Sequence, residues 1–84
     1  MNYHVTMAPA AVKQMRSLQP STNRRLNKAI EALGENPRPS GSVKMKVDGS
    51  YRIRVGDYRV IYDVDDAKRS VLVTAVRHRR EAYR

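Results

Sequence analysis

A chain of 84 residues has room for one domain around one modest core, so residues 1–84 are read as a single domain. With 17 Lys and Arg against 8 Asp and Glu the formal net charge is +9, and a positive potential over so small a body makes polyanions its natural partners. The absence of cysteine excludes a disulfide framework and thiolate metal sites, and no apolar run approaches the ~18 residues of a membrane span.

The opening Met1-Asn2-Tyr3-His4 is not a basic segment leading into an apolar one, so a cytoplasmic protein with no membrane partner is expected. Tyr3, Val5 and Met7 alternate with His4 and Thr6, the period of a short half-buried strand. Pro9 suits the first turn of a helix, and Ala8, Ala11, Val12, Met15 and Leu18 recur at helical steps. Gln19-Pro20 ends that helix. Ser21 or Thr22 is expected to cap a second one, with Leu26, Ala29, Ile30 and Leu33 as its apolar stripe and Gly34 as its close. The turn-rich segment 35–41 follows.

From there the period changes to two. Val43, Met45 and Val47 alternate with Lys44 and Lys46; Tyr51, Ile53 and Val55 alternate with Arg52 and Arg54; Tyr58, Val60, Tyr62 and Val64 alternate with Arg59, Ile61 and Asp63. Gly56-Asp57 suits a two-residue hairpin loop with glycine at its first central position. A polar turn over residues 65–70 precedes Val71 to Val76, whose nearly continuous apolar run predicts a central strand covered on both faces. The fold expected is α+β: an N-terminal strand and a two-helix hairpin packed on a sheet of three or four antiparallel strands.

If Gly56-Asp57 is the loop, Arg54 falls directly opposite Arg59, and Arg52 projects from the same face. Opposed like charges destabilise a strand pair, so three clustered guanidiniums are a site candidate rather than a folding device. Lys44 and Lys46 are expected to repeat the pattern on the preceding strand, either steering RNA or simply solvating an edge. The tail adds Arg77, His78, Arg79, Arg80, Glu81, Tyr83 and Arg84. Arginines that stabilise charge on a phosphorane, an imidazole that moves protons and a phenol that stacks on a base together suit phosphodiester chemistry. His4 and His78 show no metal-ligand spacing, and neither a metal nor another cofactor is expected.

The segment Tyr51-Arg52-Ile53-Arg54-Val55-Gly56-Asp57-Tyr58-Arg59-Val60-Ile61-Tyr62, followed by the closing His78-Arg79-Arg80-Glu81-Ala82-Tyr83, resembles the RelE branch of the RelE/ParE toxin superfamily. The resemblance implies a microbial ribonuclease-like fold and the toxin of a type II toxin–antitoxin pair, an mRNA interferase acting in the ribosomal A site without metal. The cut is made by a ribose 2′-OH on the adjacent phosphate and leaves a 2′,3′-cyclic phosphate and a free 5′-OH. Its expected partners are the ribosome, messenger RNA and an acidic RelB-like antitoxin in a hetero-oligomer. Carried over by position, Arg52 and Arg54 match the family's basic pair, Arg59 its phosphate-binding arginine, Arg79 the arginine at the leaving group and Tyr83 the tyrosine near the cleaved nucleotide, with Lys44, Lys46, His78 and Arg80 expected to bind RNA. The basic pair is often Lys in the family, and Arg stays protonated, which leaves Tyr83, His78 or Glu81 as candidate bases. Two other functions compete: a ParE-like poison of DNA gyrase that needs no catalytic residues, and a plain nucleic-acid-binding module.

Overall fold

The tight loop at Gly56-Asp57 forms as the sequence predicts, with Gly56 at φ +60° and the registers Val55↔Tyr58 and Arg54↔Arg59. The computed structural model describes residues 2–82. Around this hairpin, five strands form one mixed sheet in the order β1-β5-β4-β3-β2. They are β1 (His4–Met7), β2 (Val43–Lys44), β3 (Tyr51–Val55), β4 (Tyr58–Asp65) and β5 (Ser70–His78). Helices α1 (Pro9–Arg16) and α2 (Pro20–Ala32) supply the second layer, and a short turn of helix, α3 (Arg79–Ala82), follows β5. This is the α+β architecture expected, with the N-terminal strand placed parallel to β5 at the sheet edge.

One face of the sheet is buried under α1 and α2. Ala11 and Met15 from α1 meet Leu26 and Ile30 from α2, together with Leu33 beyond it, over Ile53, Val60, Tyr62, Val71, Val73 and Val76. The expectation that β5 is covered on both faces is corrected: Leu72 is 40% exposed while Val71 and Val73 are fully buried. A bulge explains the unbroken apolar run. Ile61 pairs with Ala75 and Tyr62 with Val73, so Thr74 is the extra residue and its hydroxyl donates to the Ile61 carbonyl at 3.2 Å. The buried positions therefore step from 73 to 76 and break simple alternation. Beyond the bulge, the Gln14 side chain on α1 accepts the Val76 N–H at 2.7 Å.

Three local expectations also change. No hydroxyl caps α2: Gln19 is its N-cap and Pro20 its first residue, where the absent N–H is one of the unpaired donors anyway. The strand expected through Val47 stops at Lys44, because Asp48 accepts both the N–H (2.9 Å) and the hydroxyl (2.7 Å) of Ser50 and folds the chain into a turn, leaving Val47 96% exposed. Gly34 closes α2 by close approach, for its carbonyl accepts the Tyr3 N–H at 2.6 Å. A Cβ there would lie 3.1 Å from the Tyr3 carbonyl oxygen and 3.2 Å from that of Glu31.

The segment after α2 is fastened down at two points. The buried Tyr62 hydroxyl donates to the Pro37 carbonyl at 2.7 Å. Next to it, Arg38 forms a two-pronged pair with Asp66 (3.1 and 2.7 Å) and donates through Nε to the Tyr51 hydroxyl at 3.0 Å, while Tyr3 donates to the same Asp66 carboxylate at 2.6 Å. The bonds from Arg38, then from Tyr3, hold the Asp66 carboxyl down to about 2. This clasp joins β1, the segment after α2, β3 and the β4–β5 turn.

Gly34→Ala must push a methyl group against two backbone oxygens, and a loss of about 1–3 kcal/mol is expected in chemical denaturation. A neutral result would show that β1 and the end of α2 separate freely. A carboxyl held below its ordinary value of about 4 contributes stability that is present above that pH and lost as pH falls toward 2. Asp66→Asn should therefore lower the unfolding temperature at neutral pH, and the gap from the wild type should close as the solution is taken from pH 4 toward pH 2. A gap of constant size across that range would remove the carboxylate as its source.

Candidate active site

The hairpin register decides which side chains share the helix-free face. Arg52 lies opposite Ile61, and Arg54 opposite Arg59; across the next pair, Arg59 lies opposite Arg77 and Ile61 opposite Ala75. Arg54, Arg59 and Arg77 thus form a row across β3, β4 and β5, with Arg52 one step along the strand from Arg54. Farther from the loop the same face carries Ile61 and Ala75, then Asp63 opposite Leu72. Neither α1 nor α2 packs on this side, since both cover the opposite face.

Arg52, Arg54 and Arg59 border an open pocket of about 260 Å³ whose other wall is Gly41, Val43 and Met45. The wall is apolar and the opposite side is cationic, a combination that accepts a ligand with a flat apolar part and an anionic part. The Nε of Arg52 is buried and has no hydrogen-bond partner among the described residues. An unpartnered buried donor is destabilising, which fits a side chain kept for its chemistry more than for folding. The Arg52 charge also helps to hold Asp48 below its ordinary carboxyl value, after the two hydrogen bonds from Ser50.

Among the tail residues, Arg79 stands at the loop end of the same sheet. Its N–H donates to the Asp57 carbonyl at 2.7 Å and its guanidinium lies 3.9 Å from the Asp57 carboxylate. That anchors the start of α3 to the hairpin tip. Arg80 is exposed, and its N–H donates to Nδ1 of His78 at 3.3 Å. The His78 ring belongs to the helix-covered side: it pairs with Tyr58, meets that ring edge-on at 5.1 Å, and borders a pocket with Gln14, Ser17 and Leu18. It is therefore not gathered with the arginines. Tyr83, and with it any stacking role, lies outside the described residues; the side chain of Glu81 lies outside them too.

Lys44 does not repeat the arginine pattern. It pairs with Tyr51, so Val43 takes the place opposite Arg52 and the Lys44 ammonium lies 5.9 Å from the Tyr51 ring centre on the other face. Lys46 falls in the turn after β2, where no strand fixes its direction. Arg77 is the residue that sequence reading missed as part of the site. Its charge ended the apolar run at Val76 and assigned it to the tail, whereas β5 continues through His78. Counting register outward from the hairpin would have found it only with the Thr74 bulge included.

The basic face and the fold have close counterparts. Residues 5–83 match the family model described as the ParE toxin of the type II toxin–antitoxin system parDE. The chain is 30% identical to a protein of Methanocaldococcus jannaschii named as toxin RelE1, over 100% of this chain and 98% of that one. Among solved structures, RelE in the RelE–RelB complex of Pyrococcus horikoshii superposes with a TM-score of 0.81 at 29% identity, covering 94% of this chain and 97% of the other. The isolated RelE toxin of E. coli gives 0.79 at 26% identity, covering 96% and 95%. Fold and face together define a toxin of a type II toxin–antitoxin system. The chain belongs to the RelE/ParE toxin family and is a RelE-family member of it.

Proposed function

We propose that this toxin is an endoribonuclease that cuts messenger RNA in the ribosomal A site and so inhibits translation, held in check by an acidic RelB-like antitoxin. The observation that carries the proposal is the cluster of Arg52, Arg54 and Arg59 on the helix-free face, with Arg79 fixed at its loop end. In the reaction a ribose 2′-oxygen forms a bond to the adjacent phosphorus as the bond from phosphorus to the 5′-oxygen breaks. The 2′-hydroxyl proton leaves to a base, the 5′-oxygen gains a proton, and the products are a 2′,3′-cyclic phosphate and a 5′-hydroxyl.

Charge grows on the phosphate oxygens in the transition state, and fixed guanidiniums in a partly desolvated pocket stabilise it without reorganising. Arg59 at the centre of the row takes that role, and Arg79 serves the leaving oxygen. Arg52 and Arg54 remain protonated and act as donors, not as the base. His78 has its Nδ1 engaged and faces the helices, which leaves Tyr83 or Glu81, or positioning by the ribosome itself, for the 2′-hydroxyl proton. The family's complexes of RelE with RelB support an antitoxin as the partner, and the +9 charge suits an acidic one that folds on binding.

Brief, controlled expression followed by mapping of 5′ ends on cellular messages should reveal new cuts within translated regions. Arg59→Ala should reduce cutting by about 10²–10³-fold, as for loss of one oxyanion donor, and Tyr83→Ala should also abolish toxicity. Growth arrest with intact messages and broken DNA would instead assign the protein to gyrase, consistent with the ParE family description. His78→Ala, outside the arginine face, should leave the cut sites unchanged.

A further inference from the structure

Arg54, Arg59 and Arg77 stand in register on three neighbouring strands, and we propose that the row holds two successive phosphates of single-stranded RNA, with Arg77 binding the second. The inference rests on the RNA-cleaving role proposed for this face and adds a phosphate subsite on β5 to it. Neighbouring strands are 4.7–4.9 Å apart, so the backbones of Arg54 and Arg77 are separated by about 10 Å across Arg59. A phosphodiester brings one negative charge and two non-bridging oxygens, which a single guanidinium fork can satisfy in a bidentate pair. One phosphate at Arg59 therefore leaves the flanking charges of the row uncompensated, and the next phosphate along the strand is the group that meets them.

The rest of the face fixes the direction of the track. Following a strand inward from the row leads to Ile61 and Ala75, and then to the carboxylate of Asp63 beside Leu72. Following it outward leads to the Asp57 turn, already joined to Arg79. A polyanion that ran along the strands would exchange cations for apolar and acidic neighbours. Only the path across the strands keeps phosphates over arginines, and on that path Arg77 is the last exposed cation before the edge formed by β1.

The test is binding without cutting. A short fluorescent single-stranded RNA carrying 2′-O-methyl groups is titrated with the wild type, Arg59→Gln, Arg77→Gln and the double variant over a series of salt concentrations. For single strands the slope of log K against log salt changes by about 0.7 for each phosphate contact, so each single variant should lose about 0.7 and the double variant about 1.4. A slope unchanged in Arg77→Gln, or a double variant no shallower than Arg59→Gln, would overturn the second phosphate while leaving the first. An unchanged slope in Arg59→Gln as well would remove the whole face from RNA binding, and the proposed function with it.

Discussion

The register of the β3–β4 hairpin is the constraint on which the other features depend. Gly56 adopts φ +60° at the first position of a two-residue loop, and that loop length sets Arg54 against Arg59. In a strand the side-chain period is two, so a slip of one residue would exchange the faces of an entire strand. Ile53 and Val60 would then leave the core and the arginines would enter it, at a cost no small domain could bear. Burial on one side thus enforces the cationic assembly on the other. The guanidinium of Arg25 from α2 reaches to 3.0 Å of where a Cβ on Gly56 would be, so the loop is also covered closely from the helix layer.

The second layer of control lies in how the sheet is trimmed. The Thr74 bulge restores Val76 to the core after Val73, and by the same displacement directs Arg77 to the face that holds Arg59. Without the extra residue, Arg77 would pair on the helix side and the row would end at β4. Gln14 then satisfies the Val76 backbone beyond the irregularity, so an α1 side chain stabilises the strand geometry that presents Arg77. On the opposite edge, the clasp of Arg38 with Asp66 and Tyr51 and the bond from Tyr62 to Pro37 fasten the segment leading to Gly41 and Val43, which wall the pocket.

Much of this was legible in the residues. Alternation placed the buried faces of β3 and β4, glycine placed their loop, and together they put Arg52, Arg54 and Arg59 on one surface before any coordinates. What escaped were features decided by contacts distant in sequence. The pairing of β1 with β5 joins residues more than sixty positions apart and has no local signature. Lys44 was misplaced because Asp48 and Ser50 end the strand early and set Val43, not Lys44, beside Arg52. His78 carried suitable chemistry but the wrong parity, since it follows the bulge and lies against Tyr58. The cap of α2 was misread because Pro20 needed no hydroxyl partner.

The arginine face is supported entirely from beneath. Its side chains project from a sheet whose cohesion comes from the opposite surface, and neither long helix rests on them. Fold and activity are therefore separable targets for selection. A population under pressure to silence this toxin has many routes that erase a guanidinium and leave the core intact, and few that require the domain to unfold. The lineages that survive such silencing would carry a folded, basic and chemically mute protein, retaining the shape of the toxin long after its edge has gone.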